Sequence, residues 1–303
     1  MHMIKRQLIK SFAMLALFLP GQYALAQGQA PESIFWEISG NGLKKSSYLL
    51  GTYHALPWSY TDNWPKLLQK LAQSEQLVVE AVIDSSQMMR MASHFVMDGQ
   101  TLNELFEPAD LALVEAAAKR HMGLTLEQVQ QFKPIFIMMN MVMAEVDSAQ
   151  KLMEIDQYDG APLDLALANL FMEFEKPVIP LETMEDQMKM LYGHYDNHKQ
   201  AEMLLEMLHD PRKSFEMQEK MIQAYLSGSL SELMELYVAT NTEGEDFAFL
   251  LDDRNVAWME VLPKVMQEAR TFIAVGAMHL PGELGLLQLL KEAGYTLKPL
   301  PLK

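Results

Sequence analysis

Tyr48-Leu49-Leu50-Gly51-Thr52-Tyr53-His54 is a short apolar run that meets a glycine and delivers a histidine. Near the C-terminus, Thr271-Phe272-Ile273-Ala274-Val275-Gly276-Ala277-Met278-His279 repeats the device. Each reads as a buried strand, then Gly-x-x-His, then a proline-bearing turn (Pro57, Pro281) and an amphipathic helix. A run rich in β-branched and aromatic residues that breaks at glycine marks a strand end, where a side chain is handed to the sheet's carboxyl edge. Open α/β sheets bind their ligands at that edge. Two histidines delivered the same way, far apart in the chain, point to one composite site.

Working outward, Ser33 to Ser39 alternates as a half-buried strand, and Gly40-Asn41-Gly42 turns it into Tyr48, giving an antiparallel hairpin at one edge of the sheet. Pro65 opens a helix with Leu67, Leu68 and Leu71 on one face. Gln76 to Ile83 is the next strand, with Glu80 inside it. From about 85 to 270 the pattern is helical. Helices open at Glu107-Pro108 and Thr125-Leu126, Pro134 kinks or restarts the second, and Ala161 to Phe174 forms a third. A short edge strand near 177–182 interrupts the block before helices resume at Met184. Asp246 to Ala269 reads as one long helix broken near Pro263. After the strand at Phe272–Val275, Glu283 to Ala293 is a helix capped by Gly294, and Tyr295 to Leu300 closes the sheet. The fold class is therefore α/β (α+β): a mixed central sheet from both ends of one domain, 27–303, with a large helical insertion. The unit strand, Gly-x-x-His, helix, strand occurs at both ends, as an internal duplication would leave it.

Residues 1–26 predict the compartment. Lys5, Arg6 and Lys10 form a basic region, Ser11 to Leu19 an apolar one, and Ala24-Leu25-Ala26 a cleavage pattern, so a signal peptide is expected to end after Ala26. No later stretch approaches the roughly 18 apolar residues of a membrane span, so no stable anchor is expected after cleavage. The expected location is periplasmic or secreted. There is no cysteine, which excludes thiolate metal sites and cysteine nucleophiles. A formal charge of −16 argues against nucleic acid and anionic membrane surfaces as partners. Neither a Gly-rich phosphate loop nor a Gly-x-Ser-x-Gly elbow occurs.

His54, Glu80 and His279 are the leading chemical set. Two imidazoles and a carboxylate suffice to hold a divalent ion that keeps positions open for water and substrate. Gly51 and Gly276 would permit tight turns and close backbone approach. The competing reading is two unrelated histidines at strand ends. Two rival constellations stand apart. His194-x-Asp196-x-His198 has the four-residue spacing of zinc ligands on a helix, but Tyr195 replaces the glutamate of a His-Glu-x-x-His protease. The 25 methionines, notably Met138 to Met143, could ligate Cu(I), or fill cores, grooves or a homo-oligomer interface.

Tyr48–His54, Leu77–Glu80, Leu250–Trp258 and Val275–Tyr295 together resemble the TraB/GumN/Tiki superfamily, and Gly160–Asp164 with Pro180–Thr183 resemble its middle segments. The resemblance spans essentially all of 27–303. It implies a pair of Gly-x-x-His motifs at Gly51/His54 and Gly276/His279, an acid at Glu80, and an Arg-Asn pair at Arg254 and Asn255. Animal Tiki members are membrane-tethered metalloproteases that use manganese or cobalt, and plasmid-borne relatives curb peptide pheromones. This chain is expected to depart from both in carrying no tether after signal cleavage.

The resulting expectation is metal-assisted hydrolysis of a peptide or protein substrate, with Mn2+ or Co2+ favoured and Zn2+ also compatible. His54 and His279 hold the ion, which activates a water and polarises a carbonyl. Glu80 completes the ligand set or takes the water's proton. Arg254 either stabilises an oxyanion or substrate carboxylate, or pairs on the helix surface with Asp252 or Asp253. Glu182 is a supporting acid or a solvated strand end. The alternative is a non-catalytic protein that sequesters a peptide or polysaccharide-related ligand on the same fold.

Overall fold

The computed structural model describes residues 32–82, 92–240 and 248–303. The predicted signal segment lies outside them, as do Ile83, Asp246 and Phe247. Ser33 to Lys303 forms the unit described below. Strands β1 (Phe35–Gly40) and β2 (Ser47–Thr52) form a hairpin, followed by helix α1 (Pro65–Gln73) and strand β3 (Gln76–Val79). The helical block comprises α2 (Pro108–Met122), α3 (Pro134–Leu152), α4 (Leu163–Glu173), α5 (Met184–Gly193), α6 (Asn197–His209), α7 (Pro211–Ser227) and α8 (Leu230–Thr240). Among the described residues it also contains two single-turn α-helices (Leu102–Leu105 and Leu126–Val129), two 3-10 turns (Ala92–Phe95 and Ile155–Gln157) and strand β4 (Val178–Pro180) between α4 and α5. Then come α9 (Asp252–Trp258), α10 (Leu262–Glu268), β5 (Thr271–Gly276), α11 (Leu286–Glu292) and β6 (Tyr295–Pro299).

The six strands form one mixed sheet in the order β4-β3-β5-β2-β1-β6. From β4 to β2 the pairing is parallel; β1 pairs antiparallel with β2 and with β6. The fold class is thus mixed α/β, as the sequence pattern predicts. The strands β2, β3 and β5 are buried at every position, which is why they read as continuous apolar runs rather than alternating ones. Their residues, with α1, α4, α10 and α11, build the principal core. A second, smaller core joins α2, α3 and α6.

Several sequence expectations shift. The β1–β2 hairpin does not lie at an edge, because β6 covers β1 and becomes the edge itself. Strand β3 stops at Val79, so Glu80 stands just beyond the strand rather than inside it. The long helix expected before β5 is two short ones, with Pro263 in the first turn of α10, where its missing N–H costs nothing. Pro134 likewise starts a fresh helix, α3, rather than kinking an old one. Met141 of the methionine run is buried in the second core and Met138 packs against it, so part of the run fills space between helices. His194 follows the last residue of α5 while His198 lies in α6, with Asp196 capping α6 between them. The two imidazoles therefore share no helix face; His194 instead stacks on Phe249 at 3.5 Å between ring centres.

Candidate active site

The parallel pairing of β2 with β5 sets Thr52 opposite Gly276, so the two Gly-x-x-His segments leave the sheet side by side. On the other flank of β5, β3 ends at Val79 and presents Glu80 at the same carboxyl edge. A methyl carbon built on Gly276 would stand 3.2 Å from Glu80 Oε1, 3.4 Å from His54 Nε2 and 3.6 Å from His279 Cδ2. The three side chains thus surround one point. Gly276 itself has φ −51° and ψ 137°, values any residue adopts, so its role is space and not a turn. Gly51 sits within β2, and a Cβ there would meet the Cα of Ala277 at 2.8 Å. The expectation of tight turns at these glycines is corrected: both are needed for close approach.

Each imidazole is anchored through Nδ1. His279 is buried, and its Nδ1 lies 2.8 Å from Asn255 Oδ1. The Asn255 amide nitrogen donates to the carbonyls of His279 and Leu284, at 3.3 and 2.9 Å, which fixes its oxygen as the acceptor. Nδ1 therefore carries the proton and Nε2 presents its lone pair. Burial pushes the His279 imidazole down to about 3, with Arg254 and His54 acting in the same sense and the Glu80 charge opposing. His279 is neutral at pH 7.

His54 Nδ1 bonds Asp164 Oδ2 at 2.9 Å, and Asp164 Oδ1 accepts the Thr52 hydroxyl at 2.6 Å. The other ring nitrogen, Nε2, makes no hydrogen bond among the described residues. Burial alone would lower the His54 pKa, but Asp164 more than reverses this and raises it to about 9. Solvent reaches 68 % of the side chain, so water screens part of that attraction. Asp164 thus favours the protonated ring, and any proton on Nε2 must leave before that nitrogen donates a lone pair.

Arg254 ties the site together. Its Nε and Nη2 meet Glu182 at 3.1 and 2.5 Å, and Nη2 also reaches Glu80 Oε2 at 2.5 Å. Its Nη1 donates to His279 Nε2 at 3.1 Å and to the Leu250 carbonyl at 2.9 Å. Those contacts use all five guanidinium N–H groups, so an oxyanion could bond Arg254 only by displacing a partner. The guanidinium lies 4.8 Å from the ring centre of Trp258, which also packs against His279 at 4.4 Å. Glu80 Oε1 accepts the Gly276 amide at 2.7 Å, and Gln187 donates to Glu80 and Glu182 at 3.2 and 3.1 Å. Burial opposes ionisation of Glu80, yet His279, Arg254, His54 and the Gly276 amide hold its pKa down at about 2.

Of the residues singled out in the sequence, His54, Glu80, Glu182, Arg254, Asn255, Gly276 and His279 meet in this one cluster, and Gly51 packs against Ala277 beside it. Sequence reading misses Thr52, Asp164 and Gln187 as its supports. Asp164 lies in the first turn of α4, and nothing in its local pattern marks it as the partner of His54. Two imidazoles and a carboxylate suit a divalent ion in kind. Among the described residues, however, no three His, Asp or Glu side chains are spaced as a ready metal-binding group. Arg254 accounts for part of that, since it already holds Glu80 Oε2 and His279 Nε2.

A six-stranded mixed sheet carrying paired Gly-x-x-His segments and a Glu–Arg–Glu cluster at its carboxyl edge defines the class. The TraB/PrgY/gumN family matches residues 34–299, and the chain belongs to that family. It is similar to the uncharacterized protein YbaP of Shigella flexneri, 27% identical over 264 residues, covering 82% of this chain and 88% of the relative. The YbaP of Escherichia coli strain K12 is likewise 27% identical over 261 residues, covering 80% and 87%. No solved structure matches.

Proposed function

We propose that this protein is a divalent-metal-dependent hydrolase acting on peptides, exported by its signal segment to the periplasm or beyond. One observation carries the reading: His54 Nε2, Glu80 Oε1 and the His279 ring converge on a single point above Gly276. His54 Nε2, His279 Nε2 and Glu80 are the atoms that would hold the ion; this donor set accepts Mn2+, Co2+ or Zn2+, and the first two are favoured by the resemblance to the Tiki metalloproteases. Bound there, a divalent ion would lower the pKa of water and polarise a carbonyl. The chain's own part is orientation. Asp164 and Asn255 hold the two imidazoles by Nδ1, as carboxylate and amide partners do for ligating histidines. Glu80, ionised at neutral pH, is available as ligand; it would serve as an effective proton acceptor only if its pKa rose from about 2 when the Arg254 contact loosened.

A second reading has its own support. Arg254 already satisfies Glu80, Glu182 and His279 without any ion, a closed network that a ligand-sequestering protein would equally use. Metal titration separates the two. The purified protein, His54→Ala and His279→Ala would each be stripped and titrated calorimetrically with Mn2+, Co2+ and Zn2+, with circular dichroism as the check on folding. One-to-one binding lost in both folded variants supports the hydrolase and justifies a peptide-cleavage screen. A wild type that binds none of the three ions, or variants that bind as well as wild type, overturns it.

A further inference from the structure

A cavity of about 340 Å3 opens directly beside the candidate active site. His54, Glu80 and Asp164 form its polar end. The rest is apolar. Helix α4 supplies Leu165, Ala168 and Met172, spaced at three to four residues and therefore on one helix face. Val82 and Met184 also line it. Leu165 is 36% and Met172 48% exposed, so this face of α4 keeps apolar surface in water beside the chemistry. Its volume is in the range of small-ligand sites, roughly 300–1,000 Å3.

We propose that this cavity is a specificity pocket that seats a medium or large apolar side chain of the substrate, next to the bond held at His54 and Glu80. The proposal rests on the hydrolase reading for its placement beside a reacting bond. From Asp164 to Met172 the helix rises about 12 Å, the span of roughly three to four residues of extended peptide. Methionine at two positions of the wall gives a surface that adapts to leucine, methionine or phenylalanine rather than selecting one shape. An acidic side chain is disfavoured because the face of α4 offers its charge no partner and the lining group that can carry positive charge, His54, is already bonded to Asp164. Burial of a leucine-sized side chain predicts a preference of about tenfold or more over a charged one.

The test reads binding separately from catalysis. Full-length secreted protein labelled with 13C at the methionine methyls is titrated with capped dipeptide amides, N-acetyl-Ala-X-amide, where X is Leu, Phe, Asp or Lys. Met172→Leu and Met184→Leu assign the two reporter signals. Saturable shifts at both methyls are expected for Leu and Phe, about tenfold weaker for Asp, and lost in Leu165→Asp, a substitution at a partly exposed position. Shifts absent from both methyls, equal for all four amides, or unchanged in Leu165→Asp overturn the pocket. Peptide cleavage is scored in parallel: shifts without any cleavage leave the pocket standing and sink the hydrolase, and cleavage without the shifts does the reverse.

Discussion

Replacing Arg254 with methionine tests the cluster most directly. The side chain is only 12% exposed, and it neutralises Glu80 and Glu182, whose side chains are 8% and 15% exposed. Removing one partner from a buried ion pair strands the other charge and costs about 3–5 kcal/mol. Set against a total stability of roughly 5–15 kcal/mol, that loss is large and should lower the melting temperature by about 6–20 °C. The pH dependence supplies a sharper criterion. In wild type the Glu80 pKa lies at about 2, below the value of 4.5 it has when free, so its contribution is present above 4.5 and lost as pH falls through 2. Without Arg254, burial pushes the Glu80 pKa up, and His279 also protonates more readily because a cation has left its side. The variant then binds protons that wild type does not. Its deficit relative to wild type must shrink as pH falls from 7 to 5, in urea melts at each pH. Adding Glu80→Gln to the variant should recover part of the loss, since the stranded charge is gone. A deficit below about 1 kcal/mol at pH 7, or one that stays constant down to pH 5, would refute the account of Arg254 as the clamp of the site.

The two motif glycines should fail differently. Gly51→Ala drives a Cβ against the Ala277 backbone and is expected to cost about 1–3 kcal/mol by thermal melting. Gly276→Ala meets side chains rather than backbone, Glu80, His54 and His279, so it should cost less in the melt than Gly51→Ala while shifting the His54 ring signals by NMR; the reverse pattern would contradict the assigned roles. Asp164→Asn removes the main group that raises His54, so in stripped protein its pKa should fall from about 9, back toward or below the free value of 6.5. The His54–Asp164 bond contributes stability that is full below 6.5 and lost as pH rises through 9, and an NMR titration unchanged by the substitution would count against it.

The strands and the main site residues were legible because their signals are local. A fully buried parallel strand is a short apolar run whatever surrounds it, and β2, β3 and β5 all are. His54, Glu80 and His279 each follow such a run, so their meeting needs only the adjacency of three strands. The supports were not legible. Asp164, Gln187 and Thr52 act through contacts between helices α4 and α5 and the sheet edge, and no spacing in one sequence encodes those distances. Glu182 was recognisable as a strand-end acid, but its bidentate grip on Arg254 was not. The misplaced hairpin has the same origin, since nothing within β1 says that the distant β6 will cover it.

The sheet order also explains why fold and site form together. Strand β5 lies between β3 and β2, so it holds apart and aligns the two elements that carry Glu80 and His54. The same C-terminal stretch delivers His279, and α9 delivers Arg254 and Asn255. Until β5 inserts, β2 and β3 lack their common neighbour, and the acids lack their cation. Such pairing is long-range in sequence and slow to form, because loop closure precedes any reward. The Glu80–Arg254 contact and the Gly276 amide that bonds Glu80 Oε1 complete only in the assembled sheet. A buried carboxylate that is costly alone and stable only when β5 is in register penalises misregistered strands, and so couples the geometry of the site to correct assembly of the fold.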